Sequence, residues 1–169
     1  MCSTPYSGSV DEVDVKILEV LKANARASLR DIAKAIGKSP SLIHSRLRRL
    51  EKIGVVKGYT VLVDYRMLGY EVYALTLLQV EGGHIADVEK LLATEPNVRA
   101  VFDITGEYDV AILAVFSSVS ELDKFIKKML KVPYIKRSVT NLILRVVKDS
   151  PHIDSPLHIT RKSLGTHSH

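Results

Sequence analysis

One cysteine, no tryptophan and three methionines occur among 169 residues. A lone Cys2 closes no internal disulfide and builds no zinc cluster, so a disulfide scaffold and a cysteine-held metal are both excluded. Long apolar runs are missing too. The longest, Val72–Val80 and Val110–Phe116, fall far short of the roughly 18–20 residues that cross a bilayer. The opening Met1-Cys2-Ser3-Thr4-Pro5 lacks the basic and apolar stretches of a signal peptide, and a cytoplasmic chain is expected. Catalytic equipment is equally sparse. No GxGxxG or P-loop pattern occurs, Cys2 lies in an N-terminal arm, and His84 stands alone at a helix start, so no enzyme and no cofactor are expected.

What is present is an ordinary globular mix, 46% hydrophobic and 25% charged. The length allows one domain or two small ones of about 60–100 residues. The net charge of +5 is unevenly spread: residues 1–66 carry +5, residues 67–149 carry −1 and the last twenty carry +1. Within Ser28–Gly58 eight basic side chains face two acidic ones. Such asymmetry points to a polyanion-binding module joined to a near-neutral one; a solvated helical surface is the alternative.

After a flexible arm at residues 1–9, Val13, Ile17, Val20 and Leu21 form the apolar stripe of a helix from Asp11 to Asn24. Ser28 with Asp31 three residues on resembles a capping box, and Gly37 supplies a left-handed stop. Ser39-Pro40 opens a third helix that ends before Gly54. Three helices with a tight glycine turn make a helix-turn-helix pattern, although any small bundle can produce that spacing. On the third helix Leu42, Ile43, Leu47, Leu50 and Ile53 share one face. Ser41, His44, Ser45, Arg48 and Lys52 lie opposite, with Arg49 on the flank. Short hydrogen-bonding residues near the N-terminus and longer cations beyond suit a recognition helix; an ordinary amphipathic helix is the alternative. Ser39, Ser41, His44 and Ser45 are the candidates for base edges. Arg48, Arg49 and Lys52 are the candidates for phosphates, with Arg30, Lys34 and Lys38 as secondary contacts. Arg46 falls within the apolar arc, where a lone charge is costly, and pairing with an acid of the first helix such as Asp14 fits better than a base contact.

Tyr59–Asp64 alternates and predicts a strand, a wing or hinge, before a junction at residues 67–70. From 71 to 149 the order is βαββαβ: strands at Val72–Val80, Val98–Thr105, Tyr108–Phe116 and Val139–Val147, with helices around Val88 and Phe125. The expected class is therefore α+β, a winged-type helix-turn-helix domain at 10–58, a hinge at 59–70 and a ferredoxin-like sandwich at 71–149, followed by an extension at 150–169. Two strands are apolar on both faces while the helices cover only one. A second copy of the chain is the economical cover, and packing against the DNA module is the alternative. A dimer carrying two recognition helices implies a pseudo-palindromic operator on double-stranded DNA. RNA binding is disfavoured, since no basic–aromatic platform is evident on the sheet.

These residues resemble the Lrp/AsnC, or feast/famine, family of transcription regulators. The resemblance is carried by Val10–Leu18, Ala27–Ala33, Ser39-Pro40-Ser41, Arg46–Glu51, Gly54–Tyr59 and Thr105-Gly106-Glu107-Tyr108-Asp109, and covers about residues 10–148. It implies a DNA-binding domain followed by an amino-acid-sensing domain, dimers assembling to octamers, and an amino-acid effector held between sensor domains. An amino acid needs an anion for its ammonium group and donors for its carboxylate. Asp103, Glu107 and Asp109 offer the first, Thr105, Tyr108 and the Gly106 backbone the second, and Ser138, Thr140 and Asn141 are polar neighbours. A plain β-turn at Gly106-Glu107 is the alternative. An architectural DNA-compacting protein of the same fold is the alternative function. The tail holds His152, His158, His167 and His169; a mobile segment is expected there rather than a metal site.

Overall fold

The computed structural model describes residues 10–150, 153–157 and 159. The chain divides into two compact units, one reaching to Val61 and taking in the tail from Ser150, the other running from Leu62 to Asp149. The arm at 1–9 and the histidines His152, His158, His167 and His169 lie outside the described residues. Among the described residues no helix is long and apolar enough to cross a membrane.

The first unit is three helices, α1 (Glu12–Ala23), α2 (Leu29–Ile36) and α3 (Pro40–Lys52). Each begins where its sequence places a capping side chain. Asp11 Oδ1 accepts the N–H groups of Val13 and Asp14 at 2.9 and 3.0 Å, and Asp14 Oδ2 accepts the Asp11 N–H at 2.9 Å, a reciprocal box. Ser28 and Asp31 repeat that exchange at α2, which Gly37 closes at φ 67°. Ser39 caps α3 and Pro40 occupies its first turn. The helices bury Ile17, Ile32, Ala33 and Ile43 together, with Val13, Val20, Leu21, Leu29 and Leu47 around them.

Tyr59–Asp64 corrects an expectation: it belongs to no sheet, and Val61 and Leu62 are 79% and 72% exposed. Alternation reports only local propensity, and a strand also needs a neighbour to pair with. The tail departs as well. Its described part is not loose but rests on α1, through Lys22 and Glu19.

The second unit is one antiparallel sheet of β1 (Val72–Val80), β2 (Val98–Asp103), β3 (Val110–Phe116) and β4 (Ile135–Leu142) in the order β2-β3-β1-β4. Helices α4 (Ile85–Leu92) and α5 (Val119–Met129) cover one face. There Ala74, Leu78, Val80, Val110, Ile112, Ala114 and Phe116 meet Val88, Leu92, Leu122, Phe125 and Met129. The opposite face carries Leu75, Leu77 and Leu113, half-buried, with Phe102 52% exposed. The expected βαββαβ order holds, but β4 lies four residues earlier than the apolar run suggests. Lys136 and Arg137 are tolerated because β4 is an edge strand with a wet flank. Just past its end the Ile143 N–H still donates to Tyr73 O of β1 at 2.8 Å, and residues 144–149 then cross one end of the open face to the Asp149–Arg99 ion pair at 2.7 Å.

Candidate nucleic-acid interface and effector loop

On α3 the side chains of Ser41, His44, Ser45, Arg48 and Lys52 are exposed, while Ile43 and Leu50 are fully buried. Arg30, Lys34 and Lys38 are exposed on and just after α2. Ser39 is exposed as well, but its hydroxyl is engaged: it accepts the Leu42 N–H at 3.3 Å and lies 3.2 Å from Ser41 Oγ. Any base contact by Ser39 therefore competes with the helix cap. His44 and Arg48, with Leu29, Leu47 and Glu51, line a shallow depression of about 280 Å³.

The inner side of α3 is fixed by charge. Asp14 has no exposed surface. Its Oδ1 lies 3.4 Å from Arg46 Nη1, and its Oδ2 accepts from Arg49 Nη2. Arg46 Nη1 donates in addition to Asp11 Oδ2. Arg46 thus pairs with the first helix as its position in the apolar arc requires. Arg49, expected on phosphates, also directs its Nη2 to the buried Asp14 carboxylate, one turn beyond Arg46. Burial works to raise the Asp11 pKa, but the Asp14 and Val13 N–H groups and Arg46 outweigh it and hold it below the ordinary 3.8. The bond to Asp11, against the opposing effect of burial, lifts the Arg46 guanidinium above its ordinary range. At the end of α3 the Tyr59 hydroxyl donates to Glu51 Oε1 at 3.0 Å, and burial together with that carboxylate raises its pKa above 10.0.

In the second unit the loop between β2 and β3 is closed by the Ile104 N–H donating to Asp109 O at 2.9 Å, with Gly106 at φ 127°. Asp103, Thr105, Gly106 and Glu107 are exposed; Tyr108 and Asp109 are half-buried. Asp109 is partly spent on the fold, since its Oδ2 accepts the Val80 N–H at 2.8 Å beside a register shift in β1. Arg137, which sequence reasoning missed, joins the loop from β4. Its Nη1 donates to Glu107 Oε1 at 3.0 Å and its guanidinium lies 5.8 Å from the Tyr108 ring. No local signal marks that pairing, because thirty residues separate Arg137 from Glu107.

The three β4 candidates for the effector, Ser138, Thr140 and Asn141, do not line one surface. Ser138 and Thr140 pair with Leu78 and Thr76 on the helix-covered side, where Thr140 Oγ1 lies 3.0 Å from Thr76 Oγ1. Asn141 pairs with Leu75, and strict alternation turns it to the open face. Grouping Asn141 with its two neighbours is therefore corrected.

Comparison with known proteins follows the same division. Residues 10–57 match a family profile described as a winged helix-turn-helix DNA-binding domain, and residues 73–153 match one described as the Lrp/AsnC ligand-binding domain. An HTH-type transcriptional regulator of Pyrococcus furiosus, itself uncharacterised, is 36% identical over 140 residues, covering 83% of this chain and 95% of that protein. The regulator FL11 of Pyrococcus horikoshii is 32% identical, covering 85% and 95%. Among solved structures, E. coli AsnC superposes with a TM-score of 0.77 at 26% identity, covering 84% of this chain and 97% of that one. B. subtilis LrpC gives 0.74 at 28%, covering 83% and 99%. Residues beyond 153 lie outside both matched profiles.

Proposed function

We propose, since the chain belongs to the Lrp/AsnC family of transcription regulators, that it reads double-stranded DNA sequence-specifically and is modulated by an amino-acid effector. The family is one of regulators rather than enzymes, with a DNA-binding unit and a ligand-binding domain. The observation that carries the finer reading is α3 itself: a polar, basic outer face on a helix whose inner face is anchored to Asp14.

In this reading Ser41, His44 and Ser45 meet base edges, while Arg48 and Lys52, supported by Arg30, Lys34 and Lys38, neutralise phosphates. Arg49 supports the helix rather than the DNA. Two chains joined through the open sheet faces read a pseudo-palindrome with half-sites about 34 Å, or a multiple, apart, and such dimers assemble further, to octamers. The effector sits against the Asp103–Asp109 loop. Glu107 and the free oxygen of Asp109 meet its ammonium group, and Arg137 meets its carboxylate in exchange for Glu107. Such a regulator acts in the cytoplasm.

Selection of binding sites from random duplexes tests the DNA reading. Lys52→Ala lowers affinity about equally for all sequences and reduces the salt slope by about one unit, whereas Ser41→Ala or His44→Ala changes the selected sequence. Selected pools that match across all three variants overturn the assignment, and a footprint spread evenly over any duplex supports architectural compaction instead. A thermal-shift screen against the twenty amino acids tests the effector. A true ligand raises the melting temperature, and Arg137→Ala abolishes that rise.

A further inference from the structure

Helix α1 turns Ile17 and its neighbours toward α2 and α3. The stripe opposite, Glu12, Val15, Lys16, Glu19 and Lys22, recurs at helical spacing and sets a single apolar side chain among four charged ones. Such a face ordinarily meets water. Here Ser155, Leu157 and Ile159 of the C-terminal extension lie on it. The Leu157 N–H donates to Glu19 Oε1, and the Lys22 ammonium donates to the Ser155 carbonyl at 3.0 Å while pairing with Glu19 at 3.1 Å. Those two contacts recognise backbone groups of both kinds, an N–H by a carboxylate and a C=O by an ammonium. Leu157 and Ile159 share with Glu12, Val15 and Lys16 the lining of a groove of about 360 Å³. The Lys22 side chain is 17% exposed.

We propose that the outer face of α1 is a docking surface for the chain's own C-terminal extension, which acts as a strap on the DNA-reading unit. The chain enters that unit a second time at Ser150, besides the passage between Val61 and Leu62. A module held by two chain passages samples fewer orientations than one held by a single passage, which lowers the ordering cost of docking on DNA. That consequence, which rests on the regulatory reading above, is a narrower tolerance for the separation of operator half-sites.

Hydrogen exchange on the whole protein tests the strap without DNA. A chain ending at Asp149 and the full-length Leu157→Asp variant both exchange the amides of Glu19–Ala23 about tenfold faster than the parent, with α5 unchanged. Ile153→Asp, which alters a residue 67% exposed, leaves them at the parental rate. Unchanged exchange in both strap variants, or an equal effect from Ile153→Asp, overturns the proposal. Protection that fades on dilution overturns it too, by assigning the strap to a second copy. A duplex series with half-sites moved apart by a few base pairs then reads the consequence. The parent loses affinity at separations the Asp149-terminated chain still binds. Equal tolerance removes the DNA consequence and leaves the strap standing, whereas no DNA binding by either chain counts against the regulatory reading alone.

Discussion

At the scale of single residues, carboxylates at helix starts with lowered pKa make stability sensitive to acid. Asp31 sits below its ordinary 3.8 through the Ser28 hydroxyl first and the Ser28 N–H second. Asp11 is lowered by its N–H groups and Arg46 against burial. A depressed folded-state pKa stabilises fully above the unfolded value, and that stabilisation is lost as pH falls through the folded one. The melting temperature is therefore expected to hold between about pH 7 and about pH 5 and to fall below about pH 4. Ser28→Ala lowers the melting temperature at neutral pH and makes the acid limb shallower; an unchanged acid limb contradicts the role given to Asp31. The Ser28 cap is legible in the sequence, because a Ser three residues ahead of an acid is a local signal, whereas Asp11 reads there as part of the helix and only the structure shows it as a cap. The bond from Val80 N–H to Asp109 is not legible, since it joins residues twenty-nine apart across two strands.

At the scale of elements, α1 and α3 are coupled by more than their apolar faces. Arg46 and Arg49 lie one turn apart and converge on Asp14, which fixes the rotation of α3 about its axis. Breaking a buried pair by removing one partner costs about 3–5 kcal/mol, less where the guanidiniums are partly open to water. With Arg46 and Arg49 at 28% and 35% side-chain exposure, Asp14→Asn is expected to cost about 2–3 kcal/mol in urea denaturation. A loss below about 0.5 kcal/mol means the clamp does not hold the helix. Arg46 betrays this role in the sequence by its place in the apolar arc. Arg49 does not, because on a wheel it reads as a flanking cation. The same limit explains β4. Alternation finds strands with one dry face, but Lys136 and Arg137 hide the start of an edge strand.

At the scale of the molecule, the order of elements and the basic bias of the first unit were readable from hydrophobic period and charge, while contacts with a second copy lie beyond one chain. In the proposed dimer the open sheet face is the interface. Leu77 faces Ala111 and Val139 across the strands of that face. Leu77→Lys places a charge at its centre and is expected to yield monomers in sedimentation velocity while far-UV circular dichroism stays unchanged. A variant that still sediments as a dimer moves the interface elsewhere. One further consequence comes from the acids that begin the first helix. Helix ends usually fray first, yet here Asp11 and Asp14 both start α1 and grip α3, so fraying at that end would release two arginines at once. The first turn of α1 should then open only when the three helices open together, and its amides belong with the slowest-exchanging group of the reading head rather than with its edges.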